Sequence, residues 1–410
     1  MVVIIKKGNL PKTPHTEFYA IPDVLSLEEI HGTYGFSGPH TRKLHIRSYP
    51  TEQSKPPQKA DFNLLLELAS DFLLQPFHIL GSKLPTGGNA FTSRKPLLYG
   101  LSTVISISKP DKSCEENRFF RNGEKHEIYF VQDGEGTLKT EYGNLLFRPG
   151  LYLIIPKGTI YQIELKSKNA FFFIMESSYP ITFPPHYMNS AGQATLMAPV
   201  VETEIEVPEF KNPIDKEGEF YIYVKHSGGN ITCLTLGHHP FDIVGWEGAV
   251  YPFGFDIKNH HGIAREIHTA PPVHQTFQSG QVPFNGFSIC SFVSQMEGWH
   301  PKDIGAPFAH SNVDSDEVMF FSSANYGARE GVIKPGAITF HPSGVPHSPH
   351  GNAALASIKG RGKMNDRLAV MLDTYFESLQ VTEFAYNYRD KNYSTSWYRT
   401  ARTGEPATGR

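Results

Sequence analysis

One pattern occurs twice in this chain and restricts the fold more than any other feature. Pro149-Gly150 is followed six residues later by Pro156–Gly158, and Pro335-Gly336 is followed at the same distance by Pro342–Gly344. Each copy encloses a short apolar run, so each predicts a strand between two tight turns. A repeated strand–turn unit predicts two related β domains rather than a helical protein.

Composition agrees with a β-rich chain of more than one domain. The 410 residues include 36 glycines and 31 prolines, and 12% are aromatic. Helical spacing of apolar residues is restricted to 61–74 and 363–372, which we predict as helices. We predict a mainly β fold with two cupin-like jelly-roll or β-sandwich units. Residues 1–262 would form an N-terminal arm and a degenerate unit without metal, and residues 263–410 a catalytic, metal-binding unit.

Charge, cysteine usage and hydropathy exclude several classes of protein. The 38 basic and 41 acidic residues form no basic tract, so neither nucleic acid nor a membrane surface is an expected partner. No apolar run reaches transmembrane length, and the first residues are too short for a signal sequence. The three cysteines are far apart and are predicted to be free thiols. We therefore expect a cytoplasmic protein.

His310, Glu317 and His347 are the candidate metal ligands. Two imidazoles and one carboxylate can fill one face of an Fe(II) octahedron and leave positions open for substrate and O2. Glu317 begins the apolar run that continues through Val318–Phe321, and His347 follows a Pro/Gly turn. Histidines that only cap loops, beside a solvated acidic run, are the simpler alternative. The buried strand predicted after Glu317 counts against that alternative.

The two copies of the pattern differ where a metal would bind. Glu127 in the first copy corresponds to Glu317 in the second, but Tyr161 stands where the second copy has His347. The segment before Glu127 offers no imidazole except the adjacent His126. We therefore expect the first unit to have no metal and to serve structure or assembly.

These residues belong to a larger set that resembles homogentisate 1,2-dioxygenases along most of the chain. The set is specific as a whole, and its clearest parts are Pro240–Gly248, Tyr251–Phe253, His268–Pro272, Asn325-Tyr326, Pro346-His347 and Lys391–Trp397. The resemblance implies Fe(II), a small aromatic substrate, O2 as co-substrate, and a homo-oligomer that is a trimer or hexamer. It also implies that His310, Glu317 and His347 bind the iron, with His347 bordering the substrate.

The resemblance assigns further residues to the reaction. His268 would handle the proton of the bound phenol, and His341 would lie close to the metal. Tyr326 would face a ring hydroxyl. Asn312 and Arg329 would meet the carboxylate of the substrate side chain.

Two departures from the family leave questions open. The spacing from His310 to Glu317 is one residue longer than in the family, so Asp316 is an alternative carboxylate ligand. We favour Glu317 because its distance to His347 keeps the family register. Gly305 replaces an arginine of the family, which leaves the substrate side chain open. Whether His260 or His261 touches substrate also stays open.

The predicted reaction is extradiol-type cleavage of a para-hydroquinone with an acidic side chain. Homogentisate, giving maleylacetoacetate in aromatic amino-acid catabolism, is the first candidate, and another substituted hydroquinone or a gentisate-like ring is the second. Two other classes would use the same fold. One is a Mn- or Zn-dependent isomerase or hydrolase, and the other is a bicupin without catalysis.

Overall fold

The computed structural model is built almost entirely from β-strands. It describes residues 4–47, 52–262, 275–280, 285–296, 298–305, 309–323, 333–349 and 353–394. The helical segments in these ranges are short: α1 (Ala353–Lys359), α2 (Glu383–Asn387) and five 3-10 turns at Gly81–Lys83, Pro185–Tyr187, Glu202–Glu204, Ser227–Gly229 and Ile257–Asn259. In the part of the chain that the structure describes, no helix has the length and apolar character needed to cross a membrane.

Four strands form a small sheet, called the arm sheet, from the N-terminal residues and one later strand. They are β1 (Ile5–Gly8), β2 (Leu27–Gly32), β3 (His40–His45) and β19 (Ile243–Gly248). Their order is β1-β19-β3-β2.

Seven strands form the outer sheet. They are β4 (Gln53–Lys59), β8 (Arg118–Asn122), β10 (Gly136–Thr140), β11 (Gly143–Phe147), β13 (Ile160–Leu165), β17 (Glu217–His226) and β18 (Asn230–His238). Their order is β11-β10-β13-β8-β17-β18-β4. The pair β8 and β17 runs parallel.

Eight strands form the middle sheet. They are β6 (Lys95–Tyr99), β7 (Thr103–Ser108), β9 (His126–Asp133), β12 (Leu151–Ile155), β14 (Phe171–Ser177), β16 (Ile205–Glu206), β20 (Phe253–Asp256) and β26 (Gln380–Val381). Their order is β16-β20-β12-β9-β14-β7-β6-β26.

Seven strands form the C-terminal sheet. They are β5 (Phe77–Ile79), β15 (Ile181–Thr182), β21 (Gln275–Ser279), β22 (Phe287–Phe292), β23 (Glu317–Phe321), β24 (Ala337–His341) and β25 (Ala369–Thr374). Their order is β15-β21-β22-β25-β23-β24-β5. Strands from both halves of the chain therefore share this sheet, since β5 and β15 precede residue 262.

The middle sheet is buried on both faces, which makes three stacked layers. Phe172 belongs to the core between the middle and outer sheets. The adjacent Phe173 belongs to the core between the middle and C-terminal sheets, where its ring stacks on Phe320 at 4.6 Å. A strand covered on both sides favours apolar residues at successive positions, which explains the apolar run Phe171–Met175 of β14. The prediction of a mainly β chain made of β-sandwich units is confirmed.

Both predicted helices are wrong. Residues 61–74 contain no helix, because their backbone N–H groups bond to distant segments of the chain. Leu64 N donates to Gly229 O, and Ala69 N donates to Val381 O. Residues 363–372 lead into β25, whose Val370 and Leu372 are buried between sheets. Short apolar runs fit both the helical period and the strand period. Here the pairing with distant segments decides which structure forms. The division of the chain at residue 262 stays a prediction.

Candidate metal centre

Three polar residues lie side by side on the face of the C-terminal sheet that points away from the middle sheet. Glu317 in β23 pairs with His341 in β24 and with Asp373 in β25. Directly opposed residues share one face of an antiparallel sheet, while their chain neighbours such as Val318 and Phe340 point to the other face. Those two neighbours lie in the core against the middle sheet. A row of polar groups is thus buried beside a large apolar core.

Two loops bring the candidate histidines over this row. His310 precedes β23 and His347 follows β24, and their backbones exchange two hydrogen bonds of 2.9 Å. The second loop turns at Gly344, which has a φ of 74° and donates its N–H to Asn312 O at 2.7 Å. This left-handed conformation favours glycine. The turn and the backbone bridge hold the two imidazole rings 4.2 Å apart between centroids.

The ligand atoms of His310, Glu317 and His347 converge on one point. Glu317 Oε2 lies 3.6 Å from His310 Nε2 and 3.5 Å from His347 Nε2. One ligand atom from each residue falls within 4.8 Å of the others. His347 Nε2 is buried and has no hydrogen-bond partner among the described residues. A divalent cation would supply that partner, so the donor set fits a metal ion.

The surroundings favour the ionised form of Glu317 and disfavour that of the neighbouring Asp373. Burial alone would raise the pKa of Glu317, but interactions with His310, His341 and His347 hold it well below its usual range. Burial and the charge of Glu317 raise the pKa of Asp373 to about 8, and His310 opposes them. Asp373 Oδ1 is buried and lacks a hydrogen-bond partner within the described ranges. A bound cation would stabilise both carboxylates.

Asp316 and Glu317 have different surroundings. Asp316 Oδ1 accepts the N–H of Ser343 at 2.7 Å, and its Oδ2 accepts the N–H of Leu379 at 2.6 Å. Glu317 instead faces the two imidazoles. Neighbouring side chains point in opposite directions here, as expected for an extended segment. The geometry therefore groups Glu317, and not Asp316, with His310 and His347.

The structure places some of the other predicted site residues and leaves others open. Asn312 lies half-buried in the loop between His310 and Glu317. His268, Tyr326 and Arg329 lie outside the described residues, so their roles stay predictions.

His260 and His261 line a separate cavity of about 820 Å³, together with Trp299 and Arg367. The cavity is also lined by Ser323 and Leu368, at the opposite ends of β23 and β25 from Glu317 and Asp373. At about 3.3 Å per residue, the separation along the strand is roughly 15–20 Å. The two histidines are therefore remote from the three candidate ligands.

The corresponding place in the first unit holds a cation that the sequence did not reveal. Glu127 and Glu176 are opposed across β9 and β14, as Glu317 and Asp373 are across β23 and β25. Arg94 Nη1 lies 2.6 Å from Glu127 Oε1, and its Nη2 lies 2.9 Å from Glu176 Oε2. Arg94 is fully buried and comes from a distant part of the chain, so no local motif marks it.

The predicted correspondence of Tyr161 with His347 has a structural counterpart. The Tyr161 hydroxyl donates to Glu127 Oε2 at 2.8 Å, as His347 lies against Glu317 Oε2. Tyr129 OH completes the cluster at 2.9 Å from Tyr161 OH. The two units thus share a carboxylate pair, with a guanidinium between the carboxylates of the first.

Comparisons with known proteins place the chain among its relatives. It is 32% identical over 97% of its length to the whole of a Saccharolobus solfataricus protein provisionally named as a dioxygenase. It is 26% identical to the homogentisate 1,2-dioxygenase of Legionella pneumophila, over 81% of this chain and 75% of that protein. For the Caenorhabditis elegans enzyme of that name the identity is 27%, over 77% of this chain and 73% of that protein.

Solved structures show only a distant likeness. A cupin 2 conserved barrel domain protein from Leptotrichia buccalis is 12% identical, with a TM-score of 0.31 over 77% of this chain and 99% of that chain. Family models give a clearer result. The homogentisate 1,2-dioxygenase N-terminal model matches residues 98–257, and the C-terminal model matches residues 265–403. The chain therefore belongs to the homogentisate 1,2-dioxygenase family and is a dioxygenase.

Proposed function

We propose that this chain is an Fe(II)-dependent dioxygenase that opens the ring of a para-hydroquinone with an acidic side chain. Homogentisate, giving maleylacetoacetate, is the first candidate substrate, and a gentisate-like ring is the second. The observation that carries the proposal is the convergence of His310, Glu317 and His347 within 4.8 Å. Two relatives named homogentisate 1,2-dioxygenase support the choice of substrate.

The donor set favours iron over other metals. Two histidines and one carboxylate on one side of an ion, with other positions open, are typical of non-haem Fe(II) oxygenases. A hydroquinone alone reacts slowly with O2. Bound iron would make that reaction faster. The side chain of His310 is 30% exposed, whereas those of Glu317 and His347 are each 7% exposed. Small molecules can therefore approach on the His310 side.

The residues of the chain orient the substrate and move its proton. Glu317 Oε2 and the two Nε2 atoms would hold the metal, while His341 Nδ1 fixes the other oxygen of Glu317 at 2.7 Å. His268 would take the phenolic proton, since an imidazole has an ordinary pKa near 6.5. Arg329 would bind the substrate carboxylate through two parallel hydrogen bonds. Tyr326 and Asn312 would contact the ring hydroxyl and the side chain.

Metal analysis and oxygen uptake test the proposal. Protein purified without oxygen should contain about one iron per chain and should consume O2 with homogentisate. His347→Ala should lose both properties, whereas His261→Ala, a change in the remote cavity, should keep both. Zinc or manganese in place of iron, without O2 uptake, would favour an isomerase or hydrolase. No metal in the wild type would favour a binding protein.

A substrate panel tests the acidic side chain separately. Homogentisate, gentisate, unsubstituted hydroquinone and a neutral alkylhydroquinone should be compared in the wild type and in Arg329→Met. If Arg329 binds the carboxylate, the variant should lose about 1.5–3 kcal/mol of transition-state stabilisation on the acidic rings alone. Equal losses on neutral rings would refute the carboxylate contact while leaving the dioxygenase proposal in place.

A further inference from the structure

The two oxygens of Glu317 have different partners. Oε2 faces the imidazoles of His310 and His347, and Oε1 lies 2.7 Å from His341 Nδ1. A carboxylate accepts hydrogen bonds and does not donate them, so Nδ1 of His341 must carry the proton. His341 therefore fixes one oxygen of Glu317 and leaves the other directed at the candidate metal position.

Tyr393 contacts the other ring nitrogen of His341. Its hydroxyl lies 3.2 Å from His341 Nε2, and the two rings are nearly parallel, with an angle of 22°. In a neutral imidazole whose proton is on Nδ1, Nε2 is an acceptor. With His341 neutral, the Tyr393 O–H donates to Nε2 and favours the tautomer that donates to Glu317.

Contacts outside the metal centre hold Tyr393 in place. The side chain is buried, with 3% of the residue exposed, and its N–H donates to Asp390 O at 3.2 Å. Its ring lies 5.1 Å from that of His78 in β5. His78 is in turn linked to Asp390, through a backbone hydrogen bond of 2.8 Å and a side-chain contact of 3.3 Å. The contacts with His78 and Asp390 thus position Tyr393 from outside the metal centre.

We propose that Tyr393 is a positioning residue for the metal-binding carboxylate and acts through His341. This role rests on the proposed metal function. Without the hydroxyl, the imidazole proton can move to Nε2, and the lone pair on Nδ1 would then face Glu317 Oε1. That arrangement is repulsive, so Glu317 would lose its fixed orientation. Removing a group that orients a metal ligand typically lowers metal affinity by about 10–100-fold.

Two matched variants test this role with a readout that does not depend on catalysis. Tyr393→Phe removes the proposed hydroxyl. Tyr152→Phe removes another buried hydroxyl, which is hydrogen-bonded to Ser291 at 2.9 Å in the core between the middle and C-terminal sheets. Metal-free protein should be titrated with Co(II) under anaerobic conditions, and the visible ligand-field spectrum recorded. Tyr393→Phe should weaken binding by about 10–100-fold and shift the Co(II) bands. Tyr152→Phe should change neither.

A double-mutant cycle separates positioning from general stability. In a His341→Gln background, Tyr393→Phe should cause no further loss of Co(II) affinity, because its effect passes through the imidazole. An equal additional loss in that background, or wild-type affinity and spectrum in Tyr393→Phe alone, would overturn the role. Urea unfolding of the metal-free variants shows whether an affinity change only reflects lost stability. A wild type that binds no divalent metal would instead overturn the proposed metal centre, and this role with it.

Discussion

Conversion of the neighbouring acids Asp316 and Glu317 to their amides should give opposite results. We expect Glu317→Gln to lose the metal and keep most of the stability of the fold. We expect Asp316→Asn to keep most of the metal and lose stability. The reason is that the two carboxylates, although adjacent in the chain, bind different partners.

The expected loss for Asp316→Asn follows from its two hydrogen bonds. The carboxylate accepts backbone N–H groups from Ser343 at 2.7 Å and Leu379 at 2.6 Å. An asparagine keeps one acceptor oxygen and presents an NH2 group to the other donor. One hydrogen bond to a charged group is therefore lost, which contributes about 1.5–3 kcal/mol. The free energy of unfolding should fall by that amount.

The expected result for Glu317→Gln differs because the amide can keep the local contacts. Its oxygen can still accept from His341, and its NH2 can donate to the unpartnered Nε2 of His347. The amide still loses the negative charge that the imidazoles stabilise, so the free energy of unfolding of the metal-free protein should fall by about 1–1.5 kcal/mol, the difference between a hydrogen bond to a charged group and one to a neutral group. Loss of the one anionic donor among the three proposed ligands should lower metal affinity by more than the roughly 10–100-fold typical of groups that merely orient a ligand.

The assay compares metal content per chain after anaerobic loading with Fe(II), and urea unfolding of each metal-free protein. The wild type and both variants should be measured together. Metal retained by Glu317→Gln and lost by Asp316→Asn would show that Asp316 is the ligand. Two variants with the same stability would show that the hydrogen bonds of Asp316 have been given too much weight.

Three further predictions concern other parts of the chain. Arg94→Met should lower the free energy of unfolding by about 3–5 kcal/mol, because it leaves the buried carboxylate of Glu127 without its cation, although Lys225 still pairs with Glu176; a loss below about 1 kcal/mol in urea would contradict this. Burial alone would lower the pKa of His45, but the hydrogen bonds that its ring donates to Asp242 and Glu29 raise it to about 9. This stabilisation should be complete below about pH 6.5 and lost as pH rises through 9, on the order of 3 kcal/mol. His45→Gln should flatten that pH dependence in urea unfolding, and an unchanged profile would assign it elsewhere. His268→Phe should keep the metal and slow O2 uptake by about 10²–10⁴-fold; an unchanged rate would remove His268 from the proton transfer.

The repeated turns explain why part of the site could be predicted. Gly150, Gly158, Gly336 and Gly344 all have positive φ, between 74° and 89°. Such turns have a local chemical signature, because residues with a Cβ are strained there. These turns predicted where the strands end, and therefore that His347 and Glu317 lie near each other. The family resemblance was needed to choose Glu317 over Asp316, and the structure groups Glu317 with His310 and His347.

Other parts of the site depend on long-range packing, which no local pattern encodes. Asp373 lies beside Glu317 because β25 pairs with β23. Tyr393 reaches His341 because the chain after α2 returns to β5, where Asp390 N donates to His78 O. Arg94 precedes β6 and reaches Glu127 in β9 and Glu176 in β14. In each case the partners are dozens of residues apart, so their meeting becomes visible only in the fold.

Arg94 gives the first unit a positive charge that is part of the polypeptide. A chelator cannot remove this guanidinium. A shortage of iron cannot leave the carboxylates of the first unit without it. The core next to it forms one face of the middle sheet, and the other face supports the sheet that carries Glu317. Under the proposed iron dependence, iron starvation should therefore yield an inactive enzyme that stays folded, and a returning supply of iron should restore activity without new protein synthesis.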